Sequence, residues 1–271
     1  MIESITVPRN DNQRYYNSHY LFFFEMAKAV GVNLQYYDDL RDGGGFGIKI
    51  RDKHILIDYS DHVILPPDLS EFDITFKYHY SKKYHGGTLE LYPLTPISFY
   101  DWDVYRKLRE KIIYLCNNDI VLNNQKPGAA AKERRLAVQA MLCRAYGRKV
   151  DIEITSKRIF WNKINRCLIS VCVPGARGDI LDRGQWQYMA LGACTISPRI
   201  NITLPFWKKL ESGVHYIECN PDFSNLIDRI EWSKANREEC IKVGKNAQRL
   251  FLDTSTPDKI WKWINQCLGV N

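Results

Sequence analysis

The chain has 271 residues, of which 45% are hydrophobic and 13% aromatic, and a formal net charge of +7. This composition excludes a disordered or low-complexity protein, and the length suits two small domains. The basic balance suits anionic partners, but 31 acidic residues are scattered among 38 basic ones, so no dense Lys/Arg tract argues for nucleic acid.

In chain order, SITVP reads as a first strand. A helix from Asn17 or Ser18 to Ala29 follows, closed by Gly31. NLQYYDDL, GIKI, HILIDYS and FDITFKYHYS read as strands, and WDVYRKLREKIIYLC as a helix with Val104, Leu108, Ile112 and Leu115 on one face. DGGGFG at 42–47 is a turn: no helix or Lys-Ser/Thr follows it, as a phosphate loop requires.

A more regular unit begins near residue 119. The strand IVLN leads through a Lys-Pro-Gly loop into the helix AKERRLAVQAMLCRAYG. Strand KVDIEIT, helix SKRIFWNKINRC and the apolar strand LISVCV come next. The strand CTISPRI, a short helix LPFWKKLESG and the strand VHYIEC follow, and helices close the chain. The alternation predicts α/β architecture with a parallel sheet covered on both faces. The expected division is an N-terminal domain over 1–118 and a C-terminal domain over 119–255, with the last helix (256–271) packing back on the first.

No pair of the eight cysteines is spaced CxxC, so no zinc site is expected and reduced thiols are. MIESITVPRND lacks a secretory leader pattern, and HYLFFFEMAKAVGV is short and charged for a span. The expectation is a cytoplasmic protein without stable membrane insertion.

In open parallel sheets, ligands bind beyond the carboxyl ends of the strands, where helix N-termini favour anions. The loop after LISVCV holds Gly175, Arg177, Gly178, Asp179, Asp182 and Arg183. Its glycines permit close approach of a ligand, and its arginines could grip a diphosphate. The alternative is a solvated loop whose arginines pair with Asp179 and Asp182.

RGQWQYMALGACTISPRI, LESGVHYIECNPDFSNLIDRIEW and VGKNAQRLF together resemble the C-terminal half of GT-B glycosyltransferases. Arg183, Gln187, Ala190, Gly192, His215, Tyr216, Asp222, Leu226, Gly244 and Ala247 carry the likeness. It covers residues 119–254 and is nearest the group containing protein O-glucosyltransferases and capsular xylosyltransferases. In the first half, FDITFKYHYS before YPL is similar to a segment of related small transferases. The likeness implies two Rossmann-like domains facing a central cleft and a nucleotide-sugar donor, such as UDP-xylose or UDP-glucose. The acceptor would be a hydroxyl of a saccharide or glycoprotein glycan.

The resemblance also implies site residues. Lys126 falls where a basic residue lies near the donor phosphates, with Arg134 and Arg135 beyond it; these two otherwise read as exposed helix charges. Thr155 and Ser156 fall near the base, although Ser156 also suits a helix N-cap. Gln187 stands where many relatives carry the carboxylate that holds the ribose, and otherwise reads as a solvent-facing helix residue.

Inversion needs a base for the acceptor proton. It is expected from the first domain, across the cleft: Asp61 first, then Asp73, Asp11 and His19. The diphosphate could leave against basic residues and a helix dipole, with no metal. The chain is similar in size to transferases of large DNA viruses and of bacterial polysaccharide clusters, which extends the expected location to a host cytoplasm. The competing reading is a nucleotide- or sugar-binding module without turnover; a dinucleotide enzyme is disfavoured by the missing GxGxxG.

Overall fold

The computed structural model describes residues 4–9, 17–38, 45–60, 63–65, 69–95, 102–128, 131–175 and 177–270, excepting the side chains of 8–9, 17–22 and 37–38. The chain divides into two compact units. Unit 1 joins 1–102 to 202–209 and 253–271; unit 2 comprises 103–201 and 210–252. Each is a β-sheet with flanking helices, consistent with a two-domain GT-B-like α/β architecture.

Unit 1 carries β1 (Ser4–Arg9), α1 (Asn17–Ala29), β2 (Asn33–Asp38), β3 (Gly45–Ile50), β4 (Lys53–Asp58), β5 (Ile74–Lys77), α2 (Lys82–His85) and β6 (Leu91–Pro93). The six strands lie in the order β2-β1-β3-β4-β5-β6. Only β3 runs against its neighbours; β1–β2, β4–β5 and β5–β6 are parallel. Ile5, Val7, Ile48, Ile55, Ile57 and Phe76 fill the core. The last helix, α9 (Pro257–Cys267), buries Ile260, Trp261, Trp263 and Ile264 at helical spacing. Trp261 meets Phe23 of α1 at 5.6 Å between ring centroids.

At the carboxyl ends of β4 and β5 lies a fully buried ion pair. Lys77 Nζ is 2.8 Å from Asp58 Oδ2 and also donates to the Ser60 carbonyl and hydroxyl, while Asp58 Oδ1 accepts the Ser60 N–H. The charges persist inside because each has several partners.

Most of α3 (Trp102–Lys111) belongs to unit 2. The strands of unit 2 are β7 (Val121–Leu122), β8 (Val150–Asp151), β9 (Ile169–Val171), β10 (Thr195–Pro198) and β11 (Ile217–Cys219). The interleaved helices are α4 (Lys132–Tyr146), α5 (Lys157–Asn162), α6 (Arg183–Ala190), α7 (Leu226–Ala235) and α8 (Arg237–Thr254). All strand pairs are parallel, in the order β11-β10-β9-β7-β8. Every cysteine is a free thiol, most of them buried. No helix among the described residues is long and apolar enough to cross a membrane.

Several elements are shorter than expected, for identifiable reasons. The helix from Trp102 stops at Lys111 instead of reaching Cys116. Beyond it the Ile113 N–H bonds to the Asn165 side chain, and Tyr114 O–H and Cys116 Sγ both reach the Leu168 carbonyl; Leu115 ends half exposed. The strand expected over 149–155 pairs only at 150–151. LPFWKKLESG forms no helix. Pro205–Trp207 is a single 3-10 turn, with Phe206 and Trp207 both at φ 58°. Two successive left-handed residues cannot continue a right-handed helix and cost about 1–2 kcal/mol each.

Candidate functional site

The strand order of unit 2 reverses between β7 and β9. By the right-handed crossover rule, the connections through α4 and α6 therefore lie on opposite faces of the sheet. In a doubly wound fold the usual place for a ligand is the crevice beyond the carboxyl ends of two such strands. Its walls are the segment 123–128, after β7, and the segment 172–182, after β9.

Backbone pairing of β7 with β9 ends at Leu122, and side-chain amides continue the contact. Asn123 Nδ2 donates to the Val171 carbonyl. Gln125 donates from Nε2 to the Val173 carbonyl and accepts the Val173 N–H, imitating a ladder step. Asn124 turns the other way, to the Asp151 carboxylate and the Asp151 and Glu153 carbonyls. Side-chain amides thus take over from the backbone ladder beyond the paired residues.

Two adjacent arginines in the first turn of α4 fix the walls. Arg135 donates to the Lys126 carbonyl (2.9 Å), the Val173 carbonyl (3.2 Å) and Asp182 Oδ2 (2.9 Å). Arg134 donates to the carbonyls of Pro174 and Gly175, and its Nη1 lies 3.8 Å from where a side chain on Gly178 would begin. Burial, and then the neighbouring Arg135 charge, lower the Arg134 pKa from the ordinary arginine value. Asp182 caps α6 by accepting the Gly184 N–H at 2.8 Å, so one carboxylate joins the starts of α4 and α6.

The expected ligand residues fall as follows. Lys126 and Arg183 are exposed and make no side-chain bond within the described residues. The Lys126 carbonyl accepts from Arg135, and Arg183 follows Asp182, whose carboxylate accepts from the same guanidinium. Arg177 is mostly buried and pairs with Asp179, at 3.1 Å from Nε and 3.0 Å from Nη2. Of the two loop pairs weighed from sequence, Arg177–Asp179 forms, whereas Asp182 pairs with Arg135. Gly175 is half-buried and Gly178 exposed.

Gln187 does not face solvent. It is 5% exposed, and its Oε1 accepts the Trp161 indole N–H at 3.0 Å. Ser156 is exposed ahead of α5 and makes no side-chain cap bond; beside it the Thr155 hydroxyl oxygen is buried without a partner. The exposed-charge reading of Arg134 and Arg135 is corrected, since both are half-buried and bonded. The signal was present in the sequence: cations in the first turn oppose the helix dipole, so adjacent arginines there need other partners.

In unit 1, Asp73 precedes β5, at the strand's amino end. Its Oδ2 accepts the His54 N–H at 2.7 Å, and Lys53 lies 3.8 Å from Oδ1. His19 lies on α1, and its side chain is outside the described residues, as are Asp61 and Asp11. Among the described residues, no group of three or more His, Cys, Asp or Glu side chains could hold a metal ion.

A hollow of about 580 Å3 lies elsewhere in unit 2, beside β8, lined in part by Asn118, Leu122, Arg148, Asp151, Lys163 and Arg166. None of residues 123–126, 173–175, 177 and 178 lines it. Strand order and the bonded walls locate the candidate site better than the size of a hollow. Lys163 in that hollow bonds Asp151 at 2.8 Å. Burial works against the Asp151 charge, but bonds from Lys163 and Asn124 outweigh it and lower the pKa.

The residues of the GT-B likeness now have local reasons. Gly192 has φ +85°, and a methyl on Gly244 would lie 2.0 Å from the Gly192 carbonyl oxygen, so these glycines let α8 meet the end of α6. The Tyr216 hydroxyl accepts the Ile200 N–H, His215 Nδ1 accepts the Glu211 N–H, and Asp222 accepts the Ser224 N–H.

No known family profile matches the chain. A stretch of 63 residues is 30% identical to human Protein O-glucosyltransferase 3, and 42 residues are 43% identical to Uncharacterized protein 035R of Invertebrate iridescent virus 3. Those stretches are 23% and 16% of this chain, which spans 12% and 4% of the two relatives' lengths. The whole chain is similar in fold to Anabaena Alr3699/HepE, crystallised with UDP and glucose: TM-score 0.57, 9% identity, 99% of this chain and 100% of that one. A second HepE structure, with UDP, gives 0.54 at 13% identity over 93% and 76% of the two chains. A glycosyltransferase from Rickettsia africae gives 0.52 at 10% identity over 96% and 83%. At these identities the likeness is one of fold.

Proposed function

We propose that this chain is a metal-independent, inverting glycosyltransferase. It moves a sugar from a nucleotide donor, a UDP-sugar, to a hydroxyl of a saccharide or glycoprotein glycan. The observation that carries the reading is the crevice between the ends of β7 and β9. Arg134 and Arg135 hold the two loops that flank it, and Lys126, Arg177 and Arg183 belong to those loops and the start of α6. Cations beside a helix N-terminus at a switch point suit a diphosphate. The UDP bound by HepE and the glucosyltransferase name of the human relative point the same way.

In the proposed reaction, the acceptor oxygen forms a bond to the anomeric carbon as the bond from that carbon to the donor phosphate breaks. The acceptor proton passes to a carboxylate, and the electron pair leaves with the nucleoside diphosphate. Lys126, Arg177 and Arg183 stabilise the departing charge, and Gly175 and Gly178 allow the phosphates close to the backbone. Asp61 is assigned as the base because it follows the carboxyl end of β4. Asp73 is a weaker choice, since its carboxylate already holds the His54 N–H. Ser156 is kept as a contact for the base of the nucleotide. Gln187, bonded to Trp161, supports the site from behind.

That inward turn of Gln187 favours a second reading, a nucleotide-binding module without turnover, because no carboxylate stands there for the ribose. Thermal unfolding with UDP, GDP, ADP and NAD tests the shared premise. One nucleoside diphosphate at about 100 times its Kd should raise Tm by roughly 5–10 °C. Equal shifts by all four, or none, would end the proposal. Hydrolysis of the sugar donor without acceptor then separates an enzyme from a binder.

A further inference from the structure

Unit 1 contains an aromatic cluster that the donor site does not use. It gathers Trp207 and Phe206 from the 3-10 turn, Trp263 from α9, Tyr92 from β6 and Tyr80 from beyond β5. Trp207 stands edge-on to Trp263 (5.9 Å, 89°) and to Tyr80 (5.7 Å, 77°), and Tyr92 lies 6.3 Å away at 54°. Phe206 and Tyr92 in turn pack on Trp263, at 5.3 and 6.2 Å. The cluster is anchored by the Trp263 N–H to the Pro93 carbonyl (2.7 Å) and the Thr203 N–H to the Tyr80 carbonyl (2.8 Å).

Despite this support, Trp207 is 50% exposed. It is also one of the two successive left-handed residues. Backbone strain concentrates where a side chain must be presented in a fixed pose. Burying the ring would have been the apolar solution; here three rings brace it and leave half of it open.

We infer that Trp207 is the platform of a saccharide-binding site. A pyranose has an apolar C–H face and a rim of hydroxyls, so it needs a flat π surface with polar groups around it. Lys208 and Lys209 follow Trp207 directly and are exposed. Glu90, exposed, accepts from the Tyr92 hydroxyl. The same surface suits a greasy partner poorly. Tyr80 and Pro93 place the platform beyond the carboxyl ends of the parallel strands β5 and β6, on the ligand side of that part of the sheet. The inference rests on the proposed transferase reading only for the role it gives the saccharide, that of acceptor.

The test measures binding by saturation-transfer NMR and calorimetry, with cellohexaose, chitohexaose and a heparin-derived hexasaccharide as probes. Trp207→Ala and Trp207→Leu are compared with wild type; the leucine keeps apolar bulk without the π face and covers the case in which the alanine variant misfolds. At least one oligosaccharide should bind wild type and weaken tenfold or more in a folded variant. The shift of Tm by nucleoside diphosphate should stay unchanged. No binding by any of the three, or binding indifferent to the loss of the indole, overturns the platform whether or not the nucleotide binds. Loss of the nucleotide shift in wild type, with saccharide binding intact, would instead overturn the transferase reading alone.

Discussion

At the residue scale, Arg135 is the side chain on which the candidate site depends most. One guanidinium meets two loop carbonyls and the carboxylate that caps α6. Its planar fork reaches acceptors in three directions, which a single ammonium cannot. Arg135→Met should therefore leave Asp182 half-buried without its ion-pair partner, with only the Gly184 N–H, and cost about 2–4 kcal/mol in urea unfolding. Arg135→Lys keeps the charge but drops some of the bonds, so it should cost less stability while weakening UDP roughly tenfold, about 1.4 kcal/mol. If calorimetry gave unchanged UDP affinity in the lysine variant, the loop geometry would not matter to the ligand. Asp58 and Lys77 show the same economy of partners in unit 1, where four bonds and complete burial fix the backbone at Ser60.

At the element scale, the contact of α8 with the turn after α6 is set by two glycines. Gly192 occupies a left-handed turn, Gln248 reaches across it to the Ala190 carbonyl at 3.1 Å, and Gly244 faces the Gly192 carbonyl with no room for a methyl group. Gly244→Ala must move α8 or the turn and should cost about 3 kcal/mol, read as a lowered urea midpoint. Gly31→Ala is a milder comparison: the φ of +77° is strained for alanine, but nothing crowds the new methyl. A loss in Gly244→Ala no larger than in Gly31→Ala would mean that a small shift of α8 relieves the close contact at little cost.

The elements also show what the residues disclosed. The β-α alternation after residue 119 was legible because every crossover in a parallel sheet needs a long apolar-faced connection. Strand lengths were not, since KVDIEIT is written like a strand but leaves the ladder after Asp151, where Asn124 and Lys163 take over its polar groups. LPFWKKLESG has helix-forming residues, and the rings that pack on Phe206 and Trp207, at the left-handed pair, are distant in sequence. The glycines and arginines of the 175–183 loop could be read directly. Which arginine would pair with which aspartate could not, because Arg135 lies about 47 residues from Asp182 and reaches it only through the fold.

At the scale of the whole molecule, the two units are interleaved in sequence. Residues 202–209 leave unit 2 to complete unit 1, and the chain returns to unit 1 after Leu252. A ligand on one unit should therefore be traceable by position along the chain. If UDP occupies the β7–β9 crevice, hydrogen exchange should slow in 123–128 and 172–184, which contain the loop N–H groups and the start of α6. Binding at about 100 Kd adds about 2.7 kcal/mol against global opening. Peptides that exchange only by global unfolding would then slow by a common factor of about one hundred, whereas loop peptides that exchange by local opening report contact. The informative comparison is thus between the crevice peptides and 202–209. Local protection of the crevice, with 202–209 slowed by no more than the common global factor, is the pattern expected of a donor site wholly in unit 2. Protection centred on 148–153 and 163–166 would place the nucleotide in the hollow beside β8 and remove the role given to Lys126, Arg177 and Arg183.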